Sequence, residues 1–474
     1  MTERMRRGRR SRRAPIRSDF RRALRSLGLS IALALLASGC ATYTDRMQDA
    51  TQAVQAGAYA TSLESLNKAL RVDSEQELPG RWRSTDALTV LERGIVLQSL
   101  GRYKESSRDL SAAEQEIELL DLRRNGVDAL GKYLYSDASG KYKAPPSERL
   151  ALNAINLLNY LADGDLDGAA VEARRFQAAR EFLATQGVEA KGPAALGAYL
   201  AGCVFEKLGE GDRALRYYEE ALESAGSLAS LRAPVARLAP ANAYRGPALK
   251  RLLEEGGASP APGSTRRAGQ GEPMGEILVV TAVGRVPHKV PERMPIGAAI
   301  GFVGTILTDD LSILERSAFK VLVFPALQPV GSQLSSVAVA VDGKDSPLEL
   351  ITDLGAAVSA EYEANKPAII AAGLTRMLAR AAIAEGARAA GNQGDNVIGI
   401  VAALATEAAL VAADRPDTRS WTLLPGRVLA TRIPVRAGDH TVEVAFGQSG
   451  ALPRQFDVTV APGGLATVVV TEPR

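Results

Sequence analysis

The sequence predicts an α+β multidomain protein, with N-terminal all-α helical repeats followed by an antiparallel β-sandwich-like domain with a helical insertion. Three observations lead there. Small and large apolar residues recur at helical spacing around glycine turns through the first half, as stacked helix pairs require. A stretch rich in Gly, Pro, Ala and Ser follows, from Gly256 to Pro273, with the composition of a flexible linker. Beyond it, short β-branched runs bounded by Gly or Pro replace the helical period, and such runs read as strands. The chain divides into a leader at 1–39, a helical repeat domain at 40–255, a linker at 256–275 and a mixed domain at 276–474. The helical insertion covers about 348–413.

A chain of 474 residues is long enough for two or three cores. Its net charge of +3 is misleading, because eleven arginines lie before residue 40 against only Glu3 and Asp19. The remainder carries 46 basic and 52 acidic residues, a net of −6. A mildly acidic body argues against nucleic-acid binding, which needs a clustered basic face. Two cysteines and two histidines, His288 and His440, are too few and too scattered for a His/Cys zinc site. No cofactor is expected.

The leader opens with an arginine-rich segment, Arg4 to Arg25, and continues with eleven apolar residues, Leu27 to Ala37. That run is shorter than the roughly 20 residues that span a bilayer, and it fits an export signal. It ends in Leu36-Ala37-Ser38-Gly39-Cys40, which resembles the lipobox of bacterial lipoproteins, with Ala37 where leucine is usual. The resemblance implies lipidation of Cys40, cleavage before it, and anchoring to a membrane by more than one acyl chain. Ala41 in place of an aspartate favours the outer membrane and its periplasmic face.

Four segments align on glycine: Gly57 with Leu66 and Ala69; Gly101 with Leu110 and Ala113; Gly164 with Ala173 and Phe176; Gly209 with Tyr218 and Ala221. These spacings look like the tetratricopeptide repeat, and the resemblance implies a concave surface for a protein or peptide partner. The competing reading is a mere spacer. Asp163-Gly164-Asp165-Leu166-Asp167-Gly168 matches the opening of an EF-hand loop. Its twelfth position is Arg174 rather than glutamate, so the acids are read as helix caps. Cys203 is read as a small buried hydrophobe.

In the second half, strands are expected at Glu276–Val283, Phe319–Phe324, Val337–Val341, Ser420–Leu424, Val428–Val435, His440–Phe446, Phe456–Val460 and Ala466–Thr471. Helices are expected at Leu348–Tyr362, Pro367–Ala390 and Val397–Ala413. Pro287, Pro291 and Pro295 should interrupt the stretch between the first two strands, and Ala437-Gly438-Asp439 should close a hairpin. Gly297 and Gly301 form a GxxxG in a run too short for a membrane helix pair.

The lipobox, Glu148-Arg149-Leu150 with Asn153 and Leu158-Asn159-Tyr160-Leu161, and Asp414-Arg415-Pro416-Asp417-Thr418-Arg419-Ser420-Trp421 with Leu424-Pro425 together resemble a family of uncharacterised Gram-negative lipoproteins. The resemblance brings an association with peptidoglycan-synthesis proteins and no activity. Asp417, Arg419 and Trp421 are the candidate partner-binding residues, since Arg and Trp anchor many interfaces. The competing reading pairs Asp417 with Arg419 and buries Trp421. A lipid-anchored scaffold or adaptor of the cell envelope follows. The alternatives are an envelope hydrolase, for which no catalytic constellation stands out, and a pilotin-like assembly factor for a secretion pore.

Overall fold

Glycine sets the first regularity of the fold. The computed structural model describes residues 43–117, 141–188, 190–255, 273–303, 321–331, 336–391, 416–447 and 453–474. The leader with Cys40, the expected linker up to residue 272 and the run Val397–Ala413 lie outside them. After a short helical turn at Tyr43–Arg46, successive helix pairs follow: α1 (Gln48–Gln55) with α2 (Tyr59–Leu70), α3 (Asp86–Ser99) with α4 (Tyr103–Glu116), α5 (Pro146–Ala162) with α6 (Leu166–Thr185), and α7 (Lys191–Lys207) with α8 (Gly211–Ala225). Gly57, Gly101, Gly164 and Gly209 turn them, with φ of 73°, 73°, 75° and 78°. Each glycine N–H returns to the carbonyl three residues back, and the next N–H to the one five back, at 2.8–3.2 Å. This closure satisfies the orphan carbonyls of the first helix and needs a residue that tolerates the left-handed region.

Five residues beyond each turn the second helix presents a small buried side chain: Ser62, Ser106, Ala169 and Ala214. The two serines donate to carbonyls of the first helix, Ser62 to Ala50 at 3.0 Å and Ser106 to Gly94 at 2.7 Å. Helices therefore approach closely, and neighbouring pairs pack on one another through α2 on α3, α4 on α5 and α6 on α7. Two further helices, α9 (Arg232–Leu238) and α10 (Pro247–Glu255), pack on α8.

The second half is built around β1 (Met274–Arg285), a strand buried on both faces. It lies between β10 (Leu465–Glu472) and β7 (Pro425–Arg436), and β7 carries β6 (Glu349–Asp353) at the other edge. A second four-stranded sheet has the order β5 (Lys344–Ser346), β4 (Val337–Val341), β8 (Gly438–Phe446), β9 (Arg454–Val460). Alternation along β1 divides its side chains. Ile277, Val279 and Val283 join Val339, Val341, Val442, Val444 and Phe446 of the second sheet. Leu278, Val280 and Ala282 join the helical core. The sheet is thus the middle layer, and helices and strands from Tyr43 to Arg474 cluster as one compact unit.

A smaller cluster brings together β2 (His288–Pro295), β3 (Val321–Gln328), α11 (Ile296–Val303) and the long α12 (Leu354–Gly391). Helices first and sheets after is the arrangement expected from sequence, but several details differ. β1 and β10 run parallel. The chain crosses to the second sheet after β7, reverses from β8 to β9 within it and crosses back to β10. β1 lies between β10 and β7 and is antiparallel to β7, so β10 opposes β7. Residues 437–439 carry the chain from one sheet to the other and do not close a hairpin.

A strand forms at His288–Pro295 despite its prolines. Among the described residues it pairs only with β3, and an edge strand tolerates a missing donor. The helix expected from Leu348 begins at Leu354, because Glu349–Asp353 pair with β7. It then runs unbroken through Pro367. Ser420–Leu424 is not a strand; its backbone donors are taken by side chains, as the next section describes.

Candidate functional site

A charged pair sits at the centre of the most buried helix. In α3 every residue from Asp86 to Gln98 is buried, and Glu92 and Arg93 are both fully so. Adjacent helical positions point apart, and the two side chains serve different neighbours. Arg93 turns to the helix pairs. Its Nε donates to Asp109 Oδ2 at 2.6 Å, Nη1 to Asn67 Oδ1 at 2.9 Å and Nη2 to the Glu77 carbonyl at 2.8 Å.

Glu92 turns to the C-terminal half and grips residues 416–424, a strap of irregular backbone leading into β7. Its Oε1 accepts from Thr422 N at 2.7 Å and Thr422 Oγ1 at 2.6 Å, and its Oε2 from Leu423 N at 2.7 Å. Tyr43 donates to the same carboxylate at 3.4 Å. A second carboxylate, Glu148 in the first turn of α5, accepts from Trp421 N at 3.2 Å and from the Tyr142 hydroxyl. Lys289 closes the other side, with Nζ donating to the Arg419 carbonyl at 3.3 Å and its N–H to Ser420 Oγ at 3.2 Å. Three consecutive peptide N–H groups that a sheet ladder would have used are held by two glutamates. That is why the expected strand is absent.

All three sequence-predicted partner residues fall in this strap. Asp417 and Arg419 pair, Nε to Oδ1 at 2.8 Å and Nη2 to Oδ2 at 2.6 Å. Arg419 also donates to the Ser84 carbonyl at 3.1 Å and lies over the Tyr142 ring, 5.8 Å from its centroid. Trp421 is fully buried in the shared core, and among the described residues no acceptor meets its Nε1. Cys40 lies outside the described residues. The two quoted motifs, at Glu148 and at Asp417–Trp421, are thus brought into contact by one hydrogen bond.

Sequence reasoning missed Glu92, Glu148, Tyr43, Tyr142, Lys289 and Glu361 as members of this site. Glu92 had a readable signal, an acid and a base side by side, Glu92 and Arg93, in a largely apolar run from Leu88 to Leu97. Glu148 had none, because an acid in a first helical turn is ordinary.

Burial governs the electrostatics, since removing a carboxylate from water favours its neutral form. Burial pushes Glu92 up to about 7, against the donors of Thr422 and Leu423 that favour the charged form. Burial likewise raises Glu148, with Lys289 opposing, and takes Glu361 to about 7, where it accepts from Ser147 N at 2.9 Å. Burial lowers Arg285, whose neighbour Glu92 opposes the shift. The cluster can therefore hold protons near neutrality. Its carboxylates act as backbone acceptors, so the chemistry it performs is the grip on a stretch of irregular peptide backbone, here the chain's own.

Elsewhere, His440 accommodates no general-base role. Its Nδ1 meets Asp342 Oδ2 and its Nε2 the Arg436 carbonyl, both at 2.7 Å, which engages both nitrogens with acceptors. His288 is lowered by burial and by Arg285. Asp165 caps α6, accepting from Gly168 N at 2.8 Å, and among the described residues no group of three or more His, Cys, Asp or Glu is placed to hold a metal ion. Cys203 is buried, and burial pushes its thiol up to about 11.

A groove of about 650 Å³ opens between α4 and the end of α5. It is lined by Tyr103, Lys104, Arg108, Gln115, Tyr160 and Asp163 among others. No family model, no curated protein and no solved structure matches this chain.

Proposed function

We propose that the chain is a lipid-anchored periplasmic scaffold or adaptor of the outer membrane, held by acyl chains on Cys40. Its helix pairs are read as a tetratricopeptide-like array and its two four-stranded sheets as a β-sandwich. The observation that carries the adaptor reading is the grip of α3 and α5 on residues 416–424. The face such an array offers a peptide is here committed to the chain's own strap, with glutamates on backbone N–H groups and a tryptophan sunk in the core. A partner then engages the free groove at α4 and α5, where Tyr103, Tyr160 and Arg108 supply the aromatic and guanidinium groups that anchor interfaces. A protein of cell-wall synthesis is the partner class implied by the family resemblance.

Two measurements test this. Metabolic labelling with radioactive palmitate should label wild type and not Cys40→Ala; equal labelling removes the anchor from the proposal. Affinity capture from crosslinked envelopes should enrich a protein with wild type that Lys104→Glu with Tyr160→Ala fails to retain. Enrichment unaffected by that pair, or none at all, rejects the groove as the adaptor surface.

A further inference from the structure

A cleft of about 540 Å³ opens where the described body begins, between the turn at Tyr43–Arg46, the start of α1, the end of α2 and the loop before α3. Tyr43 lines it, and so do four basic residues, Arg46, Lys68, Arg71 and Arg83. Asp49 is the one carboxylate on its wall, and Asp45 lies exposed on the same turn. Arg71 is held in place. It ends α2 at φ 62°, a conformation L residues rarely adopt, and from there its guanidinium reaches Asp86 at 2.7 Å. Arg46, Lys68 and Arg83 are exposed, and none of the three forms an ion pair among the described residues. This concentration of positive charge stands out on a body whose net charge from residue 40 onward is −6.

Covalent geometry limits how far the cleft lies from the membrane. This step rests on the lipidation of Cys40 proposed above. Tyr43 is three residue steps from Cys40, and at most about 3.3–3.6 Å of chain per step places Tyr43 within roughly 11 Å of the bilayer surface. A cleft walled by Tyr43 and four cations at that height meets phosphate headgroups. We propose that it binds the phosphate headgroup of an anionic phospholipid, so that the lipoprotein touches the membrane at a second, electrostatic point and its orientation on the surface is fixed. The two attachments act together, the acyl anchor supplying the effective concentration for the electrostatic one.

The test uses the mature chain from residue 40 carrying Cys40→Ala, because the leader's eleven arginines and any acyl chain would themselves bind vesicles. Cosedimentation is measured with vesicles of phosphatidylglycerol and phosphatidylethanolamine, and with phosphatidylcholine alone. Each basic residue close to an anionic surface contributes about a fivefold gain in partition. Arg46→Gln/Lys68→Gln/Arg83→Gln should thus lower binding to the anionic vesicles at least tenfold, up to roughly 100-fold at low salt. The control Arg232→Gln/Lys250→Gln/Arg251→Gln removes the same charge from an exposed surface elsewhere and should change it little.

An independent readout needs no loss of charge. Ser65→Cys on the cleft wall, labelled with an environment-sensitive dye while Cys203 stays buried, should shift to the blue with anionic vesicles only. Equal loss in both triple variants, equal binding to phosphatidylcholine, no dye shift, or displacement by inorganic phosphate alone each overturns the proposal. Failure of palmitate labelling with vesicle binding intact would instead remove the anchor and leave the cleft standing.

Discussion

Glu92 is acceptor to two peptide N–H groups that have no other partner in the core, so its removal leaves both unsatisfied. A buried orphan donor costs about 1–3 kcal/mol, and Glu92→Ala should destabilise the protein by about 3–5 kcal/mol in urea unfolding. Glu92→Gln should behave differently with pH. The folded-state value of about 7 lies above the usual 4.5, so the wild type loses stability as pH rises from 4.5 to about 7. On the order of 1–3 kcal/mol is at stake. The glutamine variant should lack that slope, and an unchanged slope would mean that another group carries it.

His440 has the same sign for a different reason, because here it is the charged form that its neighbours favour. The carboxylate of Asp342 and the Arg436 carbonyl raise it above 6.5, so its contribution is complete below that value and lost as pH rises through the folded one. An NMR titration of His440 should fall back towards 6.5 in Asp342→Asn. At this scale the sequence was least legible. Asp417, Arg419 and Trp421 were singled out from residue type alone. Which of their groups faces a partner and which faces the chain itself depends on Glu92 and Glu148, more than 250 residues away in sequence.

At the scale of elements, the helix pairs were legible because one local rule produces them. A left-handed glycine, a helix start two residues later and a small residue at the fifth place recur, and every part of that rule lies within about a dozen residues. The strands of the C-terminal half were legible for the same reason, as β-branched runs. What the local pattern could not carry was the pairing. The parallel β1–β10 contact depends on the chain crossing to the second sheet after β7 and back after β9, and the fate of Ser420–Leu424 on the two glutamates.

Close packing gives this scale its own prediction. Gly202 on α7 faces the Tyr218 ring so tightly that an added Cβ would collide with it. Tyr218 cannot swing aside, since it donates to Glu206 at 2.5 Å and accepts from Arg432 at 2.8 Å. Gly202→Ala should lower stability by about 2–3 kcal/mol, read as a shift of the urea midpoint. Gly301 on α11, with open space at its Cβ, should tolerate the same substitution with a change of less than about 0.5 kcal/mol.

Across the whole molecule, the sheet's inner face and the helix pairs share one core, and polar ties reinforce the seam. Arg432 of β7 pairs with Glu276 at 2.7 Å and with Glu206 of α7 at 3.1 Å. Burial pushes the Glu276 carboxyl up, but Arg432 and Lys207 outweigh it and hold it at about 2. This contribution is present above 4.5 and disappears as pH falls towards 2. Acid should therefore loosen the seam, with Arg432→Met shrinking the acid-sensitive part of the unfolding free energy. A chain ending at Gly257 would leave α3, α5 and α7 without the strands that pack on them. It should aggregate or bind a hydrophobic dye strongly, and a monomeric, dye-silent fragment would show that the helices fold alone. The sequence reading placed a linker between two domains; the extent of the shared core was not visible there, because an apolar helix face looks the same whether a neighbouring repeat or a sheet covers it.

Thr471 of β10 donates to Gln98 of α3 across 373 residues, and Tyr59 of α2 donates to Glu472 across 413. A ribosome adding about 5–20 residues per second delivers β10 roughly 20–75 s after α3 has emerged. For that interval the inner face of the helices lacks the strands that cover it in the native state.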